Sequence, residues 1–323
     1  QSDEKNTGEV IEKIIDTSDN LVEGVVENLS DKDNKFLTSS TSEGAGLIKE
    51  KIFETIVAKE TDKSAAILSK VMAKSDDTTV ASVINNITEK NANEESKLSL
   101  KVMADFSEKN SEKLESLAQN SADQIQKLTV SAVEEAASSQ EDADLIGKIV
   151  SGASEEVINK VITEVTKNST EEKQALSAKV MKTIVETNPD KMETLSDENK
   201  ENIITQTIEA AKNQSEGTST DDLDLTNTIA EIISNSDSGT TSKILEELSN
   251  TSQGTESKLS LEVVNNLTKQ ENYEEKMEIL EVTNPSIENS ISNLIEDAVK
   301  NATSEEDLEL DPFELILDSI PIF

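Results

Sequence analysis

Short apolar phrases return along this chain at fixed intervals, and that recurrence limits what it can fold into. LSKVM at 68–72 reappears as LSLKVM at 98–103 and LSAKVM at 176–181, and ESKLSL occurs at both 95–100 and 256–261. Taking one apolar position from each copy, Val71, Val102, Ile149, Val180, Ile232 and Val263 stand 31, 47, 31, 52 and 31 residues apart. A returning interval of this kind marks internal duplication, with a superunit of roughly 80 residues that holds two helical hairpins and an added helix.

A second spacing lies inside each hairpin. Val71 to Val83, Ile149 to Val161 and Ile232 to Ile244 are all 12 residues apart, and they flank the polar hinges KSDDTT, GASEEV and NSDSGT. Serine or aspartate in such a hinge can accept hydrogen bonds from the exposed amides that open the second helix. Asp76 and Asp77 therefore read as capping and dipole-compensating residues before they read as ligands. Asn188-Pro189 and Asn284-Pro285 place proline where a first helical turn loses nothing by its missing amide.

Hairpins of about ten-residue helices cannot bury an apolar stripe alone, so the copies must stack. The expected fold is all-α, an α-solenoid of stacked helical hairpins with no sheet. The expected divisions are a degenerate first repeat with a Gly/Ser loop at 1–62, superunits at 63–144, 145–222 and 223–310, and an apolar segment at 311–323 that docks or caps.

Composition agrees with a thin core. Only 34% of the 323 residues are hydrophobic and 2% aromatic, yet the apolar residues are periodic, which separates the chain from a disordered one. Acidic residues number 67 against 30 basic ones, for a net charge of -37, and every basic residue is lysine. Such a surface repels phosphate backbones. No window of the sequence shows clustered lysines, so a nucleic-acid partner is not expected. Weak, diffuse association with divalent cations is expected instead. With no run of eighteen apolar residues, no membrane span is expected. A start at Gln1 is expected of a processed or trimmed chain, and a removed secretory signal favours a secreted or cell-surface location over a cytoplasmic one.

The hairpin AAILSKVMAKSDDTTVASVINNI, residues 65–87, resembles the helix-hinge-helix repeats in the amino-terminal domain of bacterial magnesium-channel proteins. There an alanine-leucine helix, an acidic hinge and another such helix recur. The resemblance covers single hairpins. It implies a superhelical stack and, as an alternative function, a cation-responsive regulatory module. Those repeats often carry proline after the hinge aspartate, whereas Pro189 and Pro285 here follow asparagine, so no magnesium-sensing residue is carried over.

Chemistry finds few candidates. Cysteine and histidine are absent, which removes the usual transition-metal ligands, thiol catalysis and the common general base, and no cofactor is expected. Ser99 with Lys101, and Ser177 with Lys179, suggest serine-lysine dyads, but residues two apart on a helix point in different directions. Asp31, Asp33 and Asn34, and Asp221, Asp222 and Asp224, offer hard oxygen ligands without the spacing of the helix-loop-helix calcium motif. The expectation is a non-enzyme, with a carboxylate-based hydrolase a distant third.

The carboxyl end differs from the rest. DPFELILDSIPIF, residues 311–323, holds two of the five phenylalanines and two of the four prolines. Phe313, Leu315, Ile316, Leu317, Ile320, Ile322 and Phe323 are too dense for one stripe of a short helix, so some of them need another surface. They are the expected interaction residues, through which the chain associates with itself or a protein partner. The function expected first is an acidic helical-repeat scaffold, or a surface or filament-forming interaction protein.

Overall fold

The computed structural model describes residues 43–58, 62–90, 97–215, 224–252, 259–270 and 294. Among them every regular element is a helix, as the repeat predicts. In chain order these are α1 (Glu43–Val57), α2 (Asp62–Lys74), α3 (Asp77–Lys90), α4 (Leu98–Lys109), α5 (Ser111–Asn120), α6 (Ala122–Glu135), α7 (Gln140–Gly152), α8 (Glu155–Thr166), α9 (Glu171–Thr187), α10 (Asp190–Glu193), α11 (Asp197–Ser215), α12 (Leu225–Asn235), α13 (Ser238–Ser252) and α14 (Leu259–Leu267). The tight hairpins are α2-α3, α7-α8 and α12-α13. Each of the first two is followed by a further long helix, a short helix and another long one.

The chain forms two compact units, Gln1–Glu164 and Val165–Phe323. Their boundary falls within the last helical turns of α8, inside the 145–222 segment. In the first unit α4 lies between α2 and α7, forming one row, while α1, α3 and α6 form a second. In the second unit α12 lies between α9 and α14, and α11 and α13 form the facing row.

The core of each unit lies between its rows, and the periodic residues fill it. Val71, Val102, Ile149, Val83 and Val161 are fully buried in the first unit, as are Val180 and Val263 in the second, where Ile232 and Ile244 are nearly so. Each such side chain contributes about 1.5–3 kcal/mol on leaving water. Phe53 and Phe106 are buried with them. A core one side chain thick needs few large residues, which is how a chain so poor in aromatics folds.

Two of the three hinges cap the following helix as their sequences predict. Asp76 accepts from the Thr79 amide at 2.8 Å, and Asp237 accepts from the Thr240 amide at 2.9 Å, each satisfying an amide at the start of the following helix. Pro189 opens the short helix α10 with helical backbone angles. Ser139, Thr170 and Asp224 cap α7, α9 and α12 in the same manner.

Scarce lysines join neighbouring helices. Lys101 pairs with Asp62 at 2.7 Å, Lys113 with Asp77 at 3.3 Å, Lys127 with Glu89 at 3.4 Å and Lys148 with Glu108 at 3.9 Å, all in the first unit. In the second, Lys243 meets Asp197 at 3.2 Å and Lys182 meets Glu231. Exposed pairs contribute about 0–1 kcal/mol each, so their main effect is on register between helices.

Candidate functional site

The seven expected interaction residues, from Phe313 to Phe323, lie outside the described residues, as do Asp31, Asp33, Asn34, Asp221 and Asp222. Asp224 is described. It caps α12, its Oδ1 accepting from the Asn227 amide at 2.9 Å and the Thr226 hydroxyl at 2.8 Å. Among the described residues, no three or more carboxylates are grouped so as to hold a metal ion. None of the described helices is long and apolar enough to cross a membrane.

The serine-lysine pairs separate as their spacing predicts. Ser99 is fully buried, with its hydroxyl 2.8 Å from that of Ser131 on α6, while Lys101 turns to Asp62 on α2. Ser177, at the same repeat position on α9, donates to Gln206 on α11 at 2.8 Å or to the Lys173 carbonyl, and Gln206 in turn donates to the Thr166 carbonyl at 2.6 Å. In these two copies the serine hydroxyl is directed to the facing row, whereas Ser260, at the same repeat position on α14, is buried with no hydrogen-bond partner for its hydroxyl.

A polar cluster surrounds the start of α4. Lys97, the residue before that helix, is left-handed with φ 53° and supplies no side-chain cap. Glu135, at the end of α6, takes that role by accepting from the Leu100 amide at 3.1 Å, and Ser131 donates to its other oxygen at 3.4 Å. Burial pushes the Glu135 carboxyl above the usual range, and the bonds from Ser99, Leu100 and Ser131 only partly offset that. Lys97 itself donates to Asp142 Oδ2 at 2.5 Å, and the Ala137 amide reaches the same oxygen at 3.0 Å. Asp142 is fully buried, and its Oδ1 has no hydrogen-bond partner. This arrangement pins the N-terminus of α4 and the α6-α7 connection to each other.

A different surface groove, of about 510 Å³, runs between α2 and α4. Lys63, Lys70 and Lys74 from α2 and Lys109 from α4 line it with Ala66, Ile67 and Ala73. Asp105 is its one carboxylate, and Lys109 is already paired with it. Two other grooves are acidic by contrast. One, of about 230 Å³, sets Asp62, Asp105, Glu108 and Glu141 against Lys101 and Lys148, and another, of about 330 Å³ in the second unit, sets Glu201, Glu246 and Glu247 against Lys243. Positions 63, 70 and 74 are seven and eleven residues along one helix, so they share a face that a linear window does not show.

No protein-family model matches the chain, and no curated protein matches it. Among solved structures it is similar to a crystal structure of an engineered protein at 15% identity and a TM-score of 0.37, over 97% of this chain and 87% of that one. A likeness at that level carries no argument about fold or function.

Proposed function

We propose that the chain is a non-catalytic, acidic helical-repeat scaffold that associates with itself or a protein partner through residues 311–323. The observation that supports this reading is the use made of repeated buried polar positions. Ser99 and Ser177 direct their hydroxyls to the neighbouring row, and Glu135 caps a helix from another element. These three groups are engaged in joining helices, which is what a repeat built for presentation and spacing requires.

Sedimentation of the intact chain beside one ending at residue 310 tests the reading. We expect the intact chain to associate with rising concentration, and the shortened chain to stay monomeric with its helical circular dichroism nearly unchanged. If the shortened chain unfolds while the intact one is a monomer at every concentration, the segment is only a cap.

A further inference from the structure

We propose that the Lys97 Nζ and the Asp142 carboxyl condense to an amide, a covalent clasp between the start of α4 and the first turn of α7. The clasp joins residues 45 apart in the chain and is independent of residues 311–323.

Burial sets this pair apart. The Asp142 side chain is wholly out of contact with water, whereas Glu231, opposite Lys182, is 28% exposed and Asp62, opposite Lys101, is 88% exposed. Burying charge is costly, and an amide carries none. The Lys97 Nζ lies 2.5 Å from Oδ2, inside the separation of about 2.7–2.9 Å usual for such a bond. Lys97 also holds a left-handed backbone conformation, φ 53°, which persists only where the surroundings impose it, so its side chain starts from a fixed point. Two groups held together in this way react as if at an effective concentration of up to about 10⁵–10⁸ M.

The two carboxyl oxygens of Asp142 have different surroundings. Oδ2 accepts from the Ala137 amide at 3.0 Å, a donor placed for the charge that grows on that oxygen when Cγ is attacked. Oδ1 has no hydrogen-bond partner, so its departure breaks none. The step balances without an oxidant or a co-reactant. One proton passes from the Lys97 ammonium to Oδ1, and the neutral amine then forms the Nζ–Cγ bond. A second proton follows to Oδ1 as the Cγ–Oδ1 bond breaks. Water leaves, one hydrogen stays on the amide nitrogen, and both charges of the pair are gone. Lys97 is 26% exposed, which gives the water a way out.

The test is mass spectrometry of the full chain, incubated folded at neutral pH, denatured and then digested. We expect most molecules to be lighter than their sequence by one water, and fragmentation of a branched peptide to place the junction between Lys97 and Asp142. This measurement needs no substitution, so it does not depend on whether a variant folds. Lys97→Arg keeps a cation opposite Asp142 but offers no amine that can condense, and its mass should be that of its sequence. The exposed pair Lys101–Asp62 is the internal control and should be recovered as separate peptides. Recovery of Lys97 and Asp142 in separate, unmodified peptides overturns the proposal and leaves an ion pair. A loss of water that persists in Lys97→Arg, or that is confined to one unbranched peptide, lies elsewhere and overturns it too. So does a branched peptide at Lys101–Asp62, because joining would then not depend on burial.

Discussion

A β-carbon placed on Gly152 would lie 2.1 Å from the carbonyl oxygen of Ser107, so the end of α7 touches the backbone of α4 with no room for a side chain. Gly152 opens the GASEEV hinge, where the other two hinges carry Lys74 and Asn235. The contact belongs to the α4-α7 pairing, and only glycine allows it at this separation.

Gly152→Ala should therefore destabilise the first unit. Alanine favours a helix over glycine by about 1 kcal/mol. Forcing backbone apart in a packed core costs about 1–3 kcal/mol, and the obstruction here is a main-chain carbonyl that cannot rotate aside. The steric cost wins, and thermal or urea unfolding of the variant would show it as a loss of stability.

Removing the partner of Asp142 should be more damaging. Lys97→Met leaves a fully buried carboxylate without its cation, a change that costs about 3–5 kcal/mol. Lys97→Gly is the informative companion. It relieves about 1–2 kcal/mol of left-handed backbone penalty while leaving Asp142 equally alone, so it should still lose stability, but less than the methionine variant. Denaturant unfolding of both variants checks the order.

Two carboxylates should act on stability in opposite directions with pH. Glu135 has a raised folded-state value, so its contribution is fully present below the ordinary glutamate range and is lost as pH rises through the folded value. Burial opposes ionisation of Asp237 too, but bonds from the Thr240 hydroxyl, the amides of Thr240 and Gly239, and the charge of Lys200 outweigh it and lower its value. Its contribution is present above the ordinary aspartate range and lost as pH falls through the folded value. Compared with the unaltered chain, Glu135→Gln should remove part of the decline above the glutamate range, and Asp237→Asn should remove part of the decline at acid pH. Melting temperatures of the three proteins against pH read both differences.

Salt should stabilise the fold. As the Debye length shrinks from about 30 Å to about 10 Å, repulsion among the excess carboxylates is screened, and the melting temperature should rise. Magnesium at matched ionic strength should give a comparable rise. A far larger rise at low magnesium concentration would favour a cation-responsive module over a scaffold.

Local and periodic features were legible in the sequence. The intervals of 31 and 12 residues marked Val71, Val83, Val102 and their counterparts as core, and all are buried. The hinge aspartates were readable because a cap joins a residue to an amide three positions later, as Asp76 does with Thr79. Tertiary structure decided what meets across the rows. Glu135 caps an amide 35 residues earlier, Lys97 reaches Asp142 across 45, and Gly152 abuts Ser107 on a different helix. The lysines of α2 gain Lys109 only because α4 lies alongside. Burial follows from helical periodicity within one element, whereas these meetings depend on the rotation and axial offset between neighbouring helices. Those offsets come from how unlike side chains interlock, and no spacing along the chain encodes them.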